Sequence, residues 1–376
     1  MRPHSGLSIA HVDSERGFLG GEAQVFLLLE GQRSLGHRVV LFCPPGSRGA
    51  EEASRRGIEV VPVRMRNDLD VSAVARLARG FRACGCDLVH LHTGRATWLG
   101  SLAARLAGCP ALSTRRMDRR VKRNVRTRLL YRRLVRKVVA ISPAVLRCLV
   151  GGGVPAERTA LVHDAVDPDA LRPRVGREAV RAALSAGPQD AVILTLAALI
   201  RRKGIDLLLD AAALLRERGL TPLVWIAGDG PEGGALRAQC AKLGLDPRVR
   251  FLGERGDAAD LLAGADVFVL PSRREGMGVA ALEAMAAARP VVCSAVGGLL
   301  TSVVDGRTGL FFPPGDVHAL AHALARVLED GALRERLGAE GPTRIREGFL
   351  ARQMVEAYEE IYREILDRPR ETRAQP

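Results

Sequence analysis

Aromatic side chains are scarce, 4% of 376 residues, with two tryptophans and three tyrosines. That removes the stacking platforms on which nucleic acid is commonly held, so a nucleic-acid partner is not expected despite a formal charge of +14. Long apolar runs are missing too: the longest, 192–200, is nine residues, well short of the ~18 that a membrane-spanning helix needs. The opening stretch, MRPHSGLSIAHVDSERG, has no extended apolar core of the secretory kind, which makes the cytoplasm the expected compartment. Cysteines number seven, odd and without paired spacing, which argues against a disulfide framework and fits a reducing environment. Cys84, Cys86, His90 and His92 crowd together in CGCDLVHLH, but one residue between the cysteines is tighter than zinc sites favour. The segment reads as a helix end followed by a strand, and no metal is expected.

What is present suits an α/β protein. Short β-rich runs recur at 7–12, 37–44, 58–63, 88–93, 111–114, 137–142 and 159–164, each followed by a helical pattern. After a polar linker near Arg172–Gly187 the rhythm resumes at 191–199, 223–230, 249–254, 266–272, 290–296 and 309–314. Two Rossmann-like parallel-sheet domains with a cleft between them are expected, 1–175 and 176–348, then an amphipathic helix over 349–367 and a tail at 368–376. Charge is uneven: residues 1–175 carry thirty Lys and Arg against fifteen Asp and Glu, and the remainder nets −1. Twelve of those cations fall between Arg115 and Lys137, where Val121, Val125 and Leu129 recur at helical spacing. This segment reads either as a solvated helix face or as an attachment to an anionic membrane surface.

The densest signal lies at 266–298, DVFVLPSRREGMGVAALEAMAAARPVVCSAVGG. Asp266–Ser272 reads as a buried strand, Glu275, Gly276, Met277 and Gly278 as a tight turn, and Val279–Ala288 as a helix stopped by Pro290. The first N–H groups of such a helix lack intrahelical acceptors and lie at its positive end, so the turn is a ready anion site. Glu275 and Glu283 bracket it. A carboxylate inside an apolar helix either reaches solvent or needs a partner such as a ribose diol.

Glu, seven residues, Glu, with the Pro-Ser entry, the glycine turn and the Pro-Val-Val exit, resembles the nucleotide-sugar motif of the GT-B glycosyltransferases, in particular the retaining family 4 group. The resemblance implies a nucleoside-diphosphate-sugar donor, a saccharide or lipid-linked acceptor and no cofactor or metal. It implies Glu283 on the ribose, Glu275 on the sugar hydroxyls, and Gly276, Met277, Gly278, Val279 and Lys203 on the diphosphate. Gly20 and Gly21, at the mouth of a helix, resemble the family's first glycine-rich loop, and the last helix would brace the first domain. Gly228 sits at a strand end near the expected nucleobase region. Departures are plain: Ala197 and Ala198 replace the usual Gly-Arg before Lys203 and Gly204, leaving Arg201 or Arg202 to reach round. Ser113, Thr114, Arg115 and Arg116 stand where many relatives place a histidine, so the charge-stabilising role falls to the arginines, to His92 or to neither. Two further readings stay open, a GT-B epimerase or phosphorylase and a nucleotide-binding scaffold without transfer activity.

Overall fold

The structure is a computed structural model in which residues 6–367 are described. The expected tail at 368–376 lies outside them. The chain divides into two compact units, Met1–Asp164 with Ala351–Pro376, and Ala165–Leu350.

Seven parallel strands form the first unit's sheet: β1 Ser8–Val12, β2 Arg38–Cys43, β3 Glu59–Pro62, β4 Leu88–Leu91, β5 Ala111–Arg115, β6 Lys137–Ala140 and β7 Thr159–Leu161. Their order is β3-β2-β1-β4-β5-β6-β7. The second unit carries β8 Val192–Leu196, β9 Leu223–Ala227, β10 Val249–Gly253, β11 Val267–Leu270, β12 Val291–Ser294 and β13 Gly309–Phe312, in the order β10-β9-β8-β11-β12-β13. All thirteen expected strands form, and each is shorter than or equal in length to its apolar run except β5, which gains Arg115. Burial on both faces explains the near-continuous Val, Ile and Leu runs. In the second unit Ile193, Val224, Val269 and Val292 pack with Leu208, Leu215, Leu320 and Leu324 into one core. In both sheets the strand order reverses, between β1 and β4 and between β8 and β11. In an open parallel sheet such a reversal opens a crevice beyond the strands' carboxyl ends.

Polar groups pin the strand starts. The Asp266 carboxylate accepts from Val192 N at 2.7 Å and pairs with Arg181 at 3.3 Å, tying the entries of β8 and β11 together. The boundary expected at 175 falls earlier, at Asp164. Val166 N donates to Phe349 O at 2.9 Å, and Asp260 accepts from Arg174 N at 2.6 Å, so the backbone of 165–175 is tied within the second unit. The last helix, Ala351–Asp367, belongs to the first unit. It lies so close to the helix Gly20–Ser34 that a Cβ on Gly31 would sit 2.3 Å from Val355 Cγ2.

The cationic stretch differs from its expected helix. Only Val125–Leu129 is α-helical, followed by a single π turn, Leu130–Leu134. Asn124 accepts from Thr127 N and starts the helix there, and the preceding arginines repel one another at helical spacing. Val121 therefore leaves the expected stripe and is buried against Gly152, whereas Val125 is 82% exposed.

The helix after the Glu275 turn is Val279–Ala286, two residues shorter than its sequence pattern. Ala288 closes it with φ +54°, its N–H bonded to Met285 O, and Arg289 N bonded to Ala284 O at 2.8 Å. A left-handed alanine is strained by roughly 1–2 kcal/mol, part of which glycine would return as unfolded-state entropy. Ala288→Gly is therefore expected to stabilise the protein by about 0.5–1 kcal/mol, seen as a higher urea midpoint of the second unit's transition.

Candidate active site

The turn after β11 is assembled from three loops of the second unit. Gly278 takes φ +83°, ψ +53°, a conformation that side chains resist, and so re-aims the chain into the helix Val279–Ala286. Beneath it lies the loop after β12. A Cβ on Gly297 would fall 1.8 Å from Glu275 O, and one on Gly298 would fall 2.2 Å from Gly276 O. Those two glycines therefore allow backbone to rest on backbone, sealed by Gly298 N donating to Glu275 O at 3.1 Å. Met277 is buried, its carbonyl reached by Ser302 Oγ at 3.4 Å, while Val279 is half-buried at the helix mouth.

The third loop, after β8, brings the cations. Arg201–Lys203 is a single 3-10 turn. Arg273 clamps it: its N–H donates to Arg202 O at 2.7 Å, its guanidinium to Arg201 O at 3.0 Å, and two further bonds of 2.7 and 2.6 Å reach the Asp206 carboxylate. That fork places Lys203 Nζ 2.6 Å from Glu275 Oε2. Ser272 Oγ donates to the same oxygen at 3.0 Å, and Arg202 lies 3.8 Å from Oε1. Burial pushes the Glu275 carboxyl up, but Lys203, Arg202 and Ser272 outweigh it and hold the group below the usual range. Arg201 and Arg202 are exposed.

Glu283 behaves oppositely. It is half-buried on an otherwise apolar helix, and burial raises its carboxyl to about 7. Gly228 ends β9 against the Ala197 carbonyl, where a Cβ would sit 2.0 Å away, and donates its N–H to Gly253 O. Its sequence signal is met by packing between strands.

In the first unit, Gly20 and Gly21 open the helix Gly20–Ser34, and the Glu22 carboxylate reaches back to Leu19 N at 2.7 Å. A Cβ on Gly20 would meet nothing, and one on Gly21 only Arg116 Cδ at 3.7 Å, so internal packing does not demand either glycine. His92 is buried, its Nε2 2.9 Å from His11 Nδ1 and its Nδ1 3.4 Å from an Arg116 nitrogen. Arg116 also pairs with Asp164 at 3.4 Å, and Arg115 donates to Arg119 O. His90 donates or accepts at both nitrogens, 2.7 Å from Tyr362 Oη and 2.7 Å from Thr114 Oγ1. Nitrogens of His11, His90 and His92 lie within 4.8 Å of one another. With His90 engaged twice and His92 facing His11, the trio forms a hydrogen-bonded stack. Burial first, with Arg116 adding to it, lowers His11 to about 3 against an opposing hydrogen bond with Gln32, and holds His90 and His92 well below their ordinary value, so all three are neutral.

Comparison with known proteins decides the family. Residues 176–344 match the profile of glycosyl transferases group 1, and 19–170 that of glycosyltransferase family 4. The D-inositol 3-phosphate glycosyltransferase of Saccharomonospora viridis is 35% identical over 315 residues, 74% of this chain and 70% of that protein. The chain belongs to the GT-B glycosyltransferases of group 1. This glycosyltransferase is also 34% identical to the lipopolysaccharide core biosynthesis glycosyltransferase LpsE of Rhizobium meliloti over 172 residues, 46% of this chain and 49% of that protein. Its fold is that of Anabaena Alr3699/HepE, solved with UDP and glucose: TM-score 0.85 at 21% identity, covering 95% of this chain and 100% of the other.

Several residues of the glycosyltransferase's two clusters carry little sequence signal. His11, Thr114, Tyr358 and Tyr362 meet only because β1, β4, β5 and the last helix pack together. Arg273 and Asp206 sit 67 positions apart. Gly297 and Gly298 end the 266–298 stretch, but its spacing gave no sign that they form the floor of the turn.

The neutral histidines make a pH prediction. Each is depressed below the unfolded value of 6.5, so the unfolded chain takes up protons that the folded one refuses as pH falls. Stability of the first unit is expected to drop below pH 6.5 by about 1.4 kcal/mol per histidine per pH unit, read as urea midpoints between pH 7.5 and 5. A flat profile would contradict the buried neutral stack.

Proposed function

We propose that this glycosyltransferase moves a sugar from a nucleoside-diphosphate sugar to a hydroxyl of a saccharide or lipid-linked acceptor, with retention at the anomeric carbon, in envelope polysaccharide or glycolipid synthesis. The reading rests on one observation above others: Glu275, buried and ionised, faces the Lys203 ammonium at 2.6 Å beside a backbone turn that leads into a helix N-terminus.

In this reading the diphosphate lies over Gly276–Val279. The ammonium of Lys203 has three donors; one goes to Glu275 and the others are directed to phosphate oxygens. As the bond from the anomeric carbon to phosphate breaks, negative charge grows on the leaving diphosphate, and Lys203 with the helix N–H groups stabilises it. The acceptor oxygen bonds to the same face of the sugar, and its proton passes to the departing phosphate oxygen. Glu275, an acceptor-only group, orients the sugar hydroxyls and favours the positive charge that develops on the ring. Ala198 contributes no cation, so Arg202, already 3.8 Å from Glu275, takes the second position in the clamp. UDP and glucose in the HepE structure support a nucleotide sugar as donor class. Relatives named for inositol phosphate and for lipopolysaccharide core support a polyol or saccharide acceptor. Cations and backbone N–H groups carry the diphosphate in this scheme, and it calls for no cofactor.

Two outcomes test the scheme. Glu275→Ala is expected to lower transfer by at least about a hundredfold while near-UV circular dichroism is unchanged; full activity would remove the site. Ribose hydroxyls favour the ionised form of Glu283, whose carboxyl sits near 7 in the free protein. UDP affinity should therefore rise from pH 6 to pH 8 by calorimetry, and Glu283→Gln should flatten that slope.

A further inference from the structure

The polar interior of the first unit is wired in one direction, and Arg116 sets it. A guanidinium only donates, so His92 Nδ1, 3.4 Å from an Arg116 nitrogen, is an acceptor. In the neutral ring the proton is then on Nε2, which donates to His11 Nδ1 at 2.9 Å. His11 in turn carries its proton on Nε2. Gln32 is the side chain that His11 meets as a hydrogen-bond partner, and His11 Nε2 and Gln32 Oε1 have no other partner among the described residues. The imidazole therefore donates to the amide carbonyl.

Beyond the amide the direction continues. Gln32 Nε2 donates to Tyr362 Oη at 2.8 Å, and the hydroxyl proton of this fully buried tyrosine goes to His90 Nδ1, the acceptor 2.7 Å away. His90 Nε2 then donates to Thr114 Oγ1 at 2.7 Å, and Thr114 to Tyr358 Oη at 2.8 Å. All three histidines are thus of one tautomer.

At the head of this relay Arg116 is under-used. Its Nε faces Asp164 at 3.4 Å, while its Nη2 is buried without a hydrogen-bond partner. A buried donor left unpaired costs free energy unless a ligand answers it. Arg116 follows β5, which pairs with β4, at the carboxyl end where a parallel sheet receives ligands. A Cβ on Gly21 would lie 3.7 Å from Arg116 Cδ, so the guanidinium stands beside the start of the helix Gly20–Ser34. Asp13 and Glu22 feel its charge, but burial raises both carboxyls and weakens them as counter-ions.

We propose that Tyr362 is a positioning residue for sugar transfer: through Gln32, His11 and His92 it fixes the acceptor that orients Arg116, whose unpaired Nη2 meets a substrate phosphate. The device works because one amide decides the direction. With the Tyr362 hydroxyl gone, Gln32 is free to turn its NH2 toward His11. His11 then donates from Nδ1 to His92 Nε2, and His92 presents an Nδ1–H to Arg116, donor against donor. A helix that only braced the unit would need packing alone, not a directed relay ending on an unsatisfied guanidinium. The phosphate rests on the proposed nucleotide-sugar reaction; the relay rests on the first unit by itself.

The first test is nitrogen NMR of the histidine-labelled full chain near pH 7.5, which needs neither a variant nor turnover. His11, His90 and His92 are expected with the proton on Nε2; an Nδ1–H on His92 would overturn the relay. Tyr362→Phe should move the His92 proton to Nδ1. The second test is release of nucleotide from UDP-, GDP- and ADP-glucose, with near-UV circular dichroism as the folding control. Arg116→Ala should lower kcat/KM by about a hundredfold and Tyr362→Phe by about tenfold, and the double variant should be no slower than Arg116→Ala alone. Losses that multiply would show that Tyr362 does not act through Arg116. Thermal shifts of Arg116→Ala with UDP and with inorganic phosphate separate a donor phosphate from an acceptor phosphate, and parental shifts with both would overturn the phosphate contact. A parent that turns over no nucleotide sugar would strike the donor scheme, while the tautomers would still decide the relay.

Discussion

Everything at the turn after β11 depends on how a carboxylate is kept charged where water is scarce. An isolated buried carboxylate would take up a proton. Glu275 avoids this because the turn carrying Lys203 is held against it by the Arg273–Asp206 fork. Breaking such a pair is costly because it leaves one charge uncompensated, so the geometry of three loops is coupled through one contact. Glu283, eight positions on, has no compensating cation among the described residues, and burial raises its carboxyl to about 7. Two acids of one motif thus titrate in different ranges, set by their surroundings.

The first unit solves a different problem. A chain of buried uncharged groups runs from Gln32 through Tyr362, His90 and Thr114 to Tyr358. This chain runs across strands β4 and β5 and into the last helix, which is why residues 351–367 cluster with the beginning of the sequence. His92, a sequence candidate for charge stabilisation, sits in the adjoining stack with His11 and Arg116. Arg116 is shared with Asp164, so its charge is already partly balanced.

The cationic segment shows where periodicity misleads. Val121, Val125 and Leu129 recur every four residues, yet a dense run of arginines does not support a helix through 116–124, and Asn124 caps a shorter one. The outcome exposes Val125 and buries Val121. A stripe that looked like one face of a helix is split between the interior and the surface.

Alternation of short β-rich runs with helical patterns was enough to place thirteen strands, because a strand buried on both faces must be apolar throughout and leaves an unmistakable local trace. The 266–298 motif was legible for the same reason: glycines, carboxylates and a helix start lie within one continuous stretch. Local spacing could not say which cation answers Glu275, that Gly297 and Gly298 form the floor under the turn, or that His11 meets His92. Those are contacts between residues 22 to 81 positions apart, brought together only when parallel strands align and their loops converge at one end of a sheet.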